Sequence, residues 1–491
     1  MASEELQWCI GLMNAAGRYL TAEQFGYKIN ASATTLRKKQ KWILEQEDNV
    51  VYLKSHLGKY LSSDRKGVVS CSTETKGVEQ QFCVTYCEKA NGRWVFKSKQ
   101  TGLCFGGTED KLSCTEKEAT ERESWSVQLA LHPQAHLKNV NRKRFAKLEN
   151  ESILCIETIP WGSDCLITFE WHDGNYALKS ADEHYLHRDG SLVEVLSKDT
   201  MFALEVRSSG GYSGLAFKDY EGRFLTAVGK GTMLARNTTI SKDELFVLKQ
   251  SHPQGYFTHW NGKNVSIRQG MSLSANQDRT EEEETHQIEY DKSSSGWKFR
   301  AHNGQLWTAV SAGIEATGPD KVTKANLFDF EYLHDGFIAL KCRMNDKYVS
   351  AKRTGSLSAS AEKITDTEKF VFNIINRPMI IFRTDFGFMG CKTQMNSRIE
   401  CNKASHETLH LESGKNGEYF IKGGVKERRY WTVAADKSIN ADGLEPYPFF
   451  FEFASQSKMY IRNADNAYIK CEQNGTICLK ATKQNATQIE Y

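Results

Sequence analysis

The hydrophobic and polar positions of this chain repeat about every forty residues. The recurring pattern is Gly-x-aromatic-aliphatic, and its clearest copies begin at Gly17, Gly58 and Gly222. Nine weaker copies are centred on Cys104, Phe145, Tyr185, Asn264, Leu306, Tyr348, Phe388, Tyr430 and Tyr468, which makes twelve copies in all. Successive centres lie 38 to 44 residues apart. A period of this length indicates a fold assembled from equal supersecondary units.

Within a repeat, short runs of alternating apolar and polar residues predict β-strands. Residues 93–98 and 338–342 alternate in this way, so that one set of side chains faces the core. A turn with Gly or Asn-Gly follows, and the aromatic-aliphatic pair opens the next strand. About eighteen residues ahead of many copies lies an aromatic strand, such as residues 42–44 or 125–127. Each repeat therefore predicts about four short strands, and no helical stripe is evident.

Units of four strands are typical of two architectures, the β-propeller and the β-trefoil. Twelve units make four trefoils of about 120 residues each, whereas they match no common single propeller ring. The Trp-Asp dipeptide of WD40 blades is also missing. We therefore predict an all-β chain of four tandem β-trefoils, with domains 1–132, 133–252, 253–375 and 376–491.

Composition narrows the class of function. The net charge of +3 over 491 residues gives no electrostatic argument for nucleic acid. No stretch approaches eighteen apolar residues, and the first residues lack the basic and apolar regions of a signal peptide, so no membrane insertion is expected. Thirteen cysteines without a Cys-x-x-Cys pair predict reduced core thiols in the cytoplasm. No cofactor is expected.

Two motifs suggest other chemistry. Residues 406–410 match His-Glu-x-x-His, but that zinc site needs a helix, and this segment occupies a strand position of its repeat. Residues 40–42 match the Gln-x-Trp of lectin trefoils, which carry it in most repeats, while this chain has it once. We expect no metal site and no catalysis. The alternative function is that of a carbohydrate-binding trefoil or of a growth-factor-like ligand.

Basic clusters are the stronger functional signal. Residues 37–41 contain four basic side chains, and Arg142, Lys143 and Arg144 follow one another in the second trefoil. Either cluster alone is an ordinary solubilising face. Two clusters on separate parts of a rigid body predict two docking surfaces for an acidic polymer.

Long runs of this sequence resemble the fascin family of actin-bundling proteins. Residues 19–40 closely resemble the beginning of fascin, and similar runs occur at 105–114, 242–246, 268–278 and 375–378. The resemblance extends over all four predicted trefoils. It implies a non-enzymatic monomer of four trefoils packed as two lobes. Such a protein cross-links parallel actin filaments in the cytoskeleton, at filopodia and other actin-rich cell projections.

The resemblance also implies site residues. One actin site of the family lies where the first and last trefoils meet, and the matching positions here are Arg18, Arg37, Lys39, Asp385, Lys392, Arg462 and Lys470. A second surface is implied by Arg142, Lys143, Arg144, Lys263 and Ser266. Two positions differ from the family motifs: Phe386 replaces a His, and Thr35 replaces the regulatory Ser. Thr35 precedes basic residues, so it is a candidate phosphorylation site for a kinase of the protein kinase C type.

Overall fold

The structure is a computed structural model that describes residues 8–87, 92–393, 396–424 and 427–491. Over these residues the chain forms strands β1–β49 and eleven three-residue 3-10 turns, with no α-helix. The strands group into four antiparallel sheets, one for each quarter of the chain. The prediction of an all-β chain of four β-trefoils is confirmed. The seam residues of the four domains stay predictions.

The first two sheets contain β1–β24. The strands of the first sheet are Trp8–Met13, Tyr19–Ala22, Ile29–Ala33, Trp42–Glu47, Val50–Ser55, Tyr60–Ser63, Val69–Thr73, Phe82–Tyr86, Arg93–Ser98, Cys104–Thr108, Lys111–Glu116 and Trp125–Leu129. Those of the second are Gln134–Asn139, Phe145–Glu149, Ser152–Glu157, Ile167–His172, Asn175–Lys179, Tyr185–Leu186, Leu192–Val193, Met201–Ser209, Tyr212–Lys218, Phe224–Val228, Thr232–Asn237 and Phe246–Lys249.

The other two sheets contain β25–β49. The strands of the third sheet are Gln254–His259, Asn264–Ser266, Ser274–Gln277, His286–Asp291, Gly296–Ala301, Leu306–Val310, Gly313–Gly318, Phe328–Tyr332, Ile338–Cys342, Lys347–Ala351, Leu357–Ala361 and Phe370–Ile374. Those of the fourth are Met379–Ile380, Arg383–Thr384, Gly387–Thr393, Asn396–Lys403, Leu409–Ser413, Tyr419–Gly423, Arg429–Val433, Ile439–Gly443, Phe450–Ser455, Lys458–Arg462, Tyr468–Cys471, Ile477–Ala481 and Ile489–Glu490.

The 3-10 turns recur between strands, and we number them η1–η11. They are Phe25–Tyr27, Lys38–Gln40, Val78–Gln80, Glu121–Glu123, Ser163–Cys165, Lys198–Thr200, Lys242–Glu244, Glu282–Glu284, Lys324–Asn326, Asp366–Glu368 and Lys483–Asn485. Many begin with a capping box, as in η4, where Thr120 Oγ1 accepts from Arg122 N and Glu123 accepts from Thr120 N. In the turns with a capping box, the buried third residue thereby fixes the turn before the next strand begins.

The aromatic-aliphatic pair opens a strand and introduces a β-bulge. In eleven of the twelve copies the strand pairing shifts at this pair, as it does between Tyr19 and Leu20 or between Phe224 and Leu225. The second residue of the pair is buried in every copy: Leu20, Leu61, Phe105, Ala146, Leu186, Leu225, Val265, Trp307, Val349, Met389, Trp431 and Ile469. A bulge bends the strand and turns this side chain into the barrel.

The first residue of the pair lies on the opposite face, where burial is less complete. The repeated pattern leads us to expect both residues of the pair in the core, but Tyr185, Tyr348, Phe388 and Tyr430 are only half-buried. A cation from the preceding strand covers several of these rings, as Lys422 does over Tyr430 at 4.5 Å. Alternation along a strand makes this division of faces unavoidable.

The glycine of the pattern adopts a left-handed backbone, with φ of 70° at Gly17. In four copies a residue with a side chain takes the same conformation: Lys143, Glu183, Asp346 and Asn466. A left-handed residue with a Cβ costs stability, so a turn with Lys143 in this position is strained.

The chain divides into two compact units, each with two trefoils. Unit 1 contains the described residues up to Pro160 and Asp164–Gln250, and unit 2 contains Trp161–Ser163 and Ser251–Tyr491. The buried apolar side chains form one continuous core in each unit, from Ile10 to Leu248 and from Phe257 to Tyr491. Ten of the thirteen cysteines are buried, in agreement with the predicted core position of these side chains.

Tyrosine hydroxyls join the two trefoils of each unit. In unit 1, Tyr86 Oη donates to Val206 O at 2.6 Å and accepts from Val206 N at 2.9 Å. In unit 2, Tyr332 Oη bonds the two backbone groups of Phe453 at 3.4 and 2.6 Å in the same manner. Each hydroxyl satisfies a donor and an acceptor of the neighbouring trefoil, which fixes the two domains of a unit against each other.

Candidate functional site

The basic residues predicted in trefoil 1 lie around η2. Lys39 Nζ forms an ion pair with Glu23 Oε2 at 2.7 Å, and this hydrogen bond is the main cause that lowers the pKa of Glu23. The half-buried Arg37 precedes η2, and its Nε has no hydrogen-bond partner among the described residues. The half-buried Arg18 lies in the turn before β2, where its backbone N donates to Asn14 Oδ1 at 2.9 Å.

The Gln-x-Trp motif beside this cluster has a structural role. The buried Gln40 donates from Nε2 to Thr21 Oγ1 at 3.0 Å, and Trp42 Nε1 donates to Leu20 O at 3.0 Å. Both bonds tie η2 to strand β2, so neither polar group faces solvent as a sugar-binding group must. The same geometry holds Lys39 at the surface of the hairpin β2–β3.

The residues predicted in trefoil 4 are only partly at the surface. Asp385 is exposed in the turn between β38 and β39, and Lys392 is exposed with an ion pair to Glu400 at 3.0 Å. Lys470 is exposed on β47 and forms no ion pair within the described ranges. The implied site therefore offers at least three charged side chains on this trefoil.

Arg462 is the exception among these positions. Its side chain is 2% exposed and its Nε lies 2.8 Å from the Oε1 of Glu452, which is also buried. One guanidinium nitrogen also donates to Leu333 O of trefoil 3 at 2.9 Å. Arg462 therefore holds the seam of unit 2 and presents no charge to solvent.

The second predicted surface begins with a strained turn. Lys143 and Arg144 are exposed, while Arg142 is half-buried and donates to Ala227 O at 3.1 Å and to Gly229 O at 2.8 Å. Arg144 is bonded to Thr158. Arg142 thus anchors the turn to a neighbouring hairpin, and Lys143 stands at its tip.

The trefoil 3 positions differ from each other. Lys263 is half-buried and pairs with Asp278 at 2.6 Å. Ser266 is 1% exposed, and its Oγ accepts from Arg268 N at 2.9 Å. Ser266 therefore shapes the turn that carries Arg268 and has no surface for a direct contact.

Thr35 lies in the bend before η2, beside the basic cluster. It is half-buried, whereas its neighbour Thr34 is exposed. Thr34 is therefore the more accessible of the two hydroxyl residues in this bend.

The structure brings Arg37 and Lys39 together in unit 1, and Asp385, Lys392 and Lys470 all belong to unit 2. The predicted convergence of these two groups stays a prediction. Arg142, Lys143 and Arg144 are adjacent in unit 1, while Lys263 belongs to unit 2.

The His-Glu-x-x-His segment is not helical. Residues 406–408 form a loop, and strand β41 begins at Leu409. Glu407 accepts from Cys391 N at 2.7 Å and from Gly424 N at 2.8 Å, which makes it a structural link between hairpins. Over the described residues no cluster of His, Cys, Asp and Glu has the arrangement of a metal site.

Sequence reasoning missed one surface residue beside the basic cluster, Phe25. It lies in η1 between β2 and β3 and is 90% exposed. The signal in the sequence is an aromatic residue followed by Gly26 in an otherwise polar turn. No helix within the described stretches of chain is long and apolar enough to cross a membrane.

Comparison with known proteins matches four parts of the chain to the Fascin domain, at residues 16–127, 135–248, 260–372 and 387–490. The chain is 38% identical to Fascin-2 of Bos taurus over 476 residues, which cover 95% of this chain and 94% of that protein. It is 33% identical to Fascin of Strongylocentrotus purpuratus over 505 residues, with 97% of each chain covered. Among solved structures, the designed threefold symmetric protein ThreeFoil is 16% identical with a TM-score of 0.23, over 25% of this chain and 99% of that one. A TM-score this low does not establish a structural similarity.

Proposed function

This chain belongs to the fascin family, and on that premise we propose that it is a non-enzymatic protein that binds actin filaments and cross-links them into tight parallel bundles. The observation that carries the proposal is the succession of four Fascin domains along nearly the whole chain. We place the protein in the cytoplasm, in the actin cytoskeleton of cell projections.

A cross-linker needs at least two filament sites, and a chain of four domains has room for both. We therefore propose a monomer. The first site consists of Arg18, Arg37 and Lys39 of unit 1, and the second of Lys143 and Arg144, supported by Arg142, in the same unit. In unit 2 we propose filament contacts for Lys263, Asp385, Lys392 and Lys470. Arg462 and Ser266 are buried and act by holding these surfaces in shape.

The backbone at Lys143 supports the second site. This lysine occupies the slot where the clearest copies of the repeat have glycine, with φ of 56°. A left-handed lysine costs roughly 1 kcal/mol or more of stability, and such strain is retained where a side chain has a function. Its ammonium stands exposed beside Arg144, which suits an acidic filament surface.

Actin co-sedimentation at two speeds tests the proposal, because low speed pellets bundles and high speed pellets all filaments with their ligands. Reversal of Arg142, Lys143 and Arg144 to Glu should reduce low-speed pelleting and leave binding at the first site. Lys143→Gly is the sharper variant, because glycine relieves the backbone strain while it removes the charge. We expect an unchanged or higher melting temperature with weaker bundling. Full bundling by both variants would refute the second site.

The first site is tested by Lys39→Ala with Lys41→Ala as its matched control, since Lys41 is half-buried and leads into strand β4. Filament binding should weaken with Lys39→Ala and with added salt, which screens charge pairs. Equal effects of the two substitutions would instead indicate a diffuse basic surface.

Phosphorylation at Thr35 by a kinase of the protein kinase C type is the regulation we propose for the first site. A phosphate adds about −1.5 to −2 charges beside Arg37 and Lys39, where it would pair with them or repel an acidic filament. Thr35→Asp should lower bundling without a change in melting temperature, and Thr35→Ala should bundle normally. Kinase-treated protein is the direct comparison, and full bundling by it would exclude the switch.

A further inference from the structure

Phe25 is the most exposed large hydrophobic side chain of the described residues, at 90%. Single apolar side chains on a surface are ordinary and need no explanation by themselves. Two further observations at this turn do require an explanation: the conformation of the backbone that presents the ring, and the charges around the ring.

The turn that carries Phe25 is closed and strained. Glu23 N donates to Lys28 O at 2.8 Å, which closes a loop whose residues 24–28 are all exposed. Gly26 and Tyr27 both have a left-handed backbone, with φ of 66° and 50°. An aromatic residue in this conformation is uncommon, and its cost of roughly 1–3 kcal/mol indicates that the shape of the turn is maintained for a purpose.

Lysines surround this turn. Lys59 Nζ lies 5.0 Å from the centre of the Tyr27 ring, and Lys39 pairs with Glu23 at the base of the loop. Lys28 and Lys38 are exposed, and neither is in an ion pair in the part of the chain that the structure describes.

The half-buried His56 is affected by the charges of the same lysine cluster. Burial lowers its pKa first, and the charges of Lys38 and Lys39 lower it further. Two carboxylates, Glu23 and Glu74, are already paired with Lys39 and Lys59. The apolar ring therefore stands on a surface with an excess of positive charge.

We propose that Phe25 is the apolar anchor of the first filament site, inserted into an apolar depression of the actin filament whose rim carries carboxylates. The inference rests on the proposed function and adds to it the residue that supplies binding energy apart from charge. A central aromatic side chain inside a polar rim is the usual anatomy of an interface, and such aromatic residues are enriched among hot spots. The lysines speed and orient the encounter, whereas burial of the ring slows dissociation.

The experiment compares three variants with the parent protein in high-speed actin co-sedimentation over a range of salt. Phe25→Ser removes the ring, and Phe25→Leu retains much of its apolar surface. Val78→Ser is the matched control, because Val78 is also exposed, at 56%, in a 3-10 turn of the same trefoil. Melting temperatures of all variants should equal the parent's, since neither side chain is packed in the core.

Phe25→Ser should weaken filament binding roughly tenfold, Phe25→Leu much less, and Val78→Ser not at all. The loss with Phe25→Ser should be the same factor at low and high salt, whereas that of Lys39→Ala should shrink as salt screens it. If the parent binds and Phe25→Ser binds equally well, the anchor is refuted and the proposed function stands. If the parent does not bind filaments, the proposed function fails and the anchor fails with it. A loss that disappears at high salt would refute an apolar role.

Discussion

In both units the two trefoils are joined by the same kind of tyrosine–backbone hydrogen bond, but the ion pairs beside these bonds differ. In each, a tyrosine of one trefoil bonds the backbone of the other: Tyr86 to Val206 in unit 1 and Tyr332 to Phe453 in unit 2. A second tyrosine reciprocates in both. Tyr176 accepts from Leu129 N at 2.6 Å, and Tyr419 donates to Phe372 O at 2.6 Å.

The carboxylate next to each seam shows the difference. In unit 1 the buried Glu205 pairs with Lys218 and with Arg207, whose side chain is 40% exposed and stacks on Tyr86 at 4.5 Å. In unit 2 the buried Glu452 pairs with the equally buried Arg462 and with Lys483, whose side chain is half exposed. Each carboxylate therefore has two cationic partners, but one partner of Glu452 is a buried guanidinium that also bonds across the seam.

The comparison teaches that backbone geometry sets the hydrogen bonds of a repeated seam, while the ion pairs around it vary. A hydroxyl needs only a free N–H and C=O at a strand edge, which every trefoil provides. A buried charge needs a partner of matching length and position, and its loss is costly. The ionic part of a seam is therefore its more sensitive part.

The largest effect should follow from Arg462→Ala. It removes the buried partner of Glu452 together with the hydrogen bond to Leu333 O across the seam, and leaves only the half-exposed Lys483 and the hydroxyl of Tyr468, so we expect a loss of about 3–5 kcal/mol in the unfolding free energy of unit 2. Lys218→Ala in unit 1 should cost about 1 kcal/mol or less, because Arg207 still pairs with Glu205. Urea unfolding with hydrogen exchange resolves the two units. Equal costs would contradict the ionic difference.

Cavities in the two cores come next. Leu225→Ala in unit 1 and Ile469→Ala in unit 2 remove equivalent buried side chains of the repeat, and each should cost roughly 2–5 kcal/mol. Hydrogen exchange should show faster opening of the amides in the unit that carries the substitution. Uniform loss of protection in both units would argue against separate cores.

Acid should weaken unit 2 through His286. Trp42 of unit 1 donates its ring N–H to Leu20 O, and His286 makes the equivalent bond to Val265 O at 3.1 Å. Burial lowers the pKa of His286 to about 4. The unfolded chain takes up a proton near pH 6.5 while the folded chain does not, so stability is complete above that pH and falls towards pH 4.

At pH 5 this loss should be about 2 kcal/mol relative to pH 7.5. His286→Trp copies the residue of unit 1 and should abolish that pH dependence of unit 2, whatever it does to stability at pH 7.5. Urea unfolding at the two pH values measures the difference. An unchanged slope between pH 7.5 and pH 5 in the variant would assign the acid sensitivity to another group.

The smallest effect should come from the tyrosine hydroxyls. Tyr86→Phe and Tyr332→Phe each leave a backbone N–H and C=O of the neighbouring trefoil without their partner, at a cost of about 1–2 kcal/mol. The two losses should be similar, because the backbone geometry is the same in both units. A markedly larger loss for Tyr332→Phe would show that the hydroxyl and the ion pair of Glu452 act together.

The sequence alone predicted the trefoils because the repeated pattern marks positions at which the backbone conformation requires a particular type of residue. Gly17 marks a left-handed turn and Leu20 lies at a bulge that faces the core, and both features recur in most of the twelve repeats. The basic residues of trefoil 1 were also predictable, since Arg37, Lys38 and Lys39 are neighbours in the chain. The half-burial of Tyr185 and Tyr348 was not predictable. Alternation shows on which face of the strand a side chain lies, but not how much of the rest of the protein covers that face.

Tertiary structure decided which of the predicted charges reach solvent. Lys470 and Arg462 lie eight residues apart in the same repeat, yet one is exposed and the other is buried against Glu452. Nothing local distinguishes them, because the burial of Arg462 comes from a carboxylate on another strand and a carbonyl of another domain. The exposure of Phe25 has the same origin: a hydrophobic residue is normally buried by long-range packing, and only the folded chain shows that no such packing covers this ring. The sequence shows local patterns directly, whereas the burial of a side chain depends on residues that are distant in the chain.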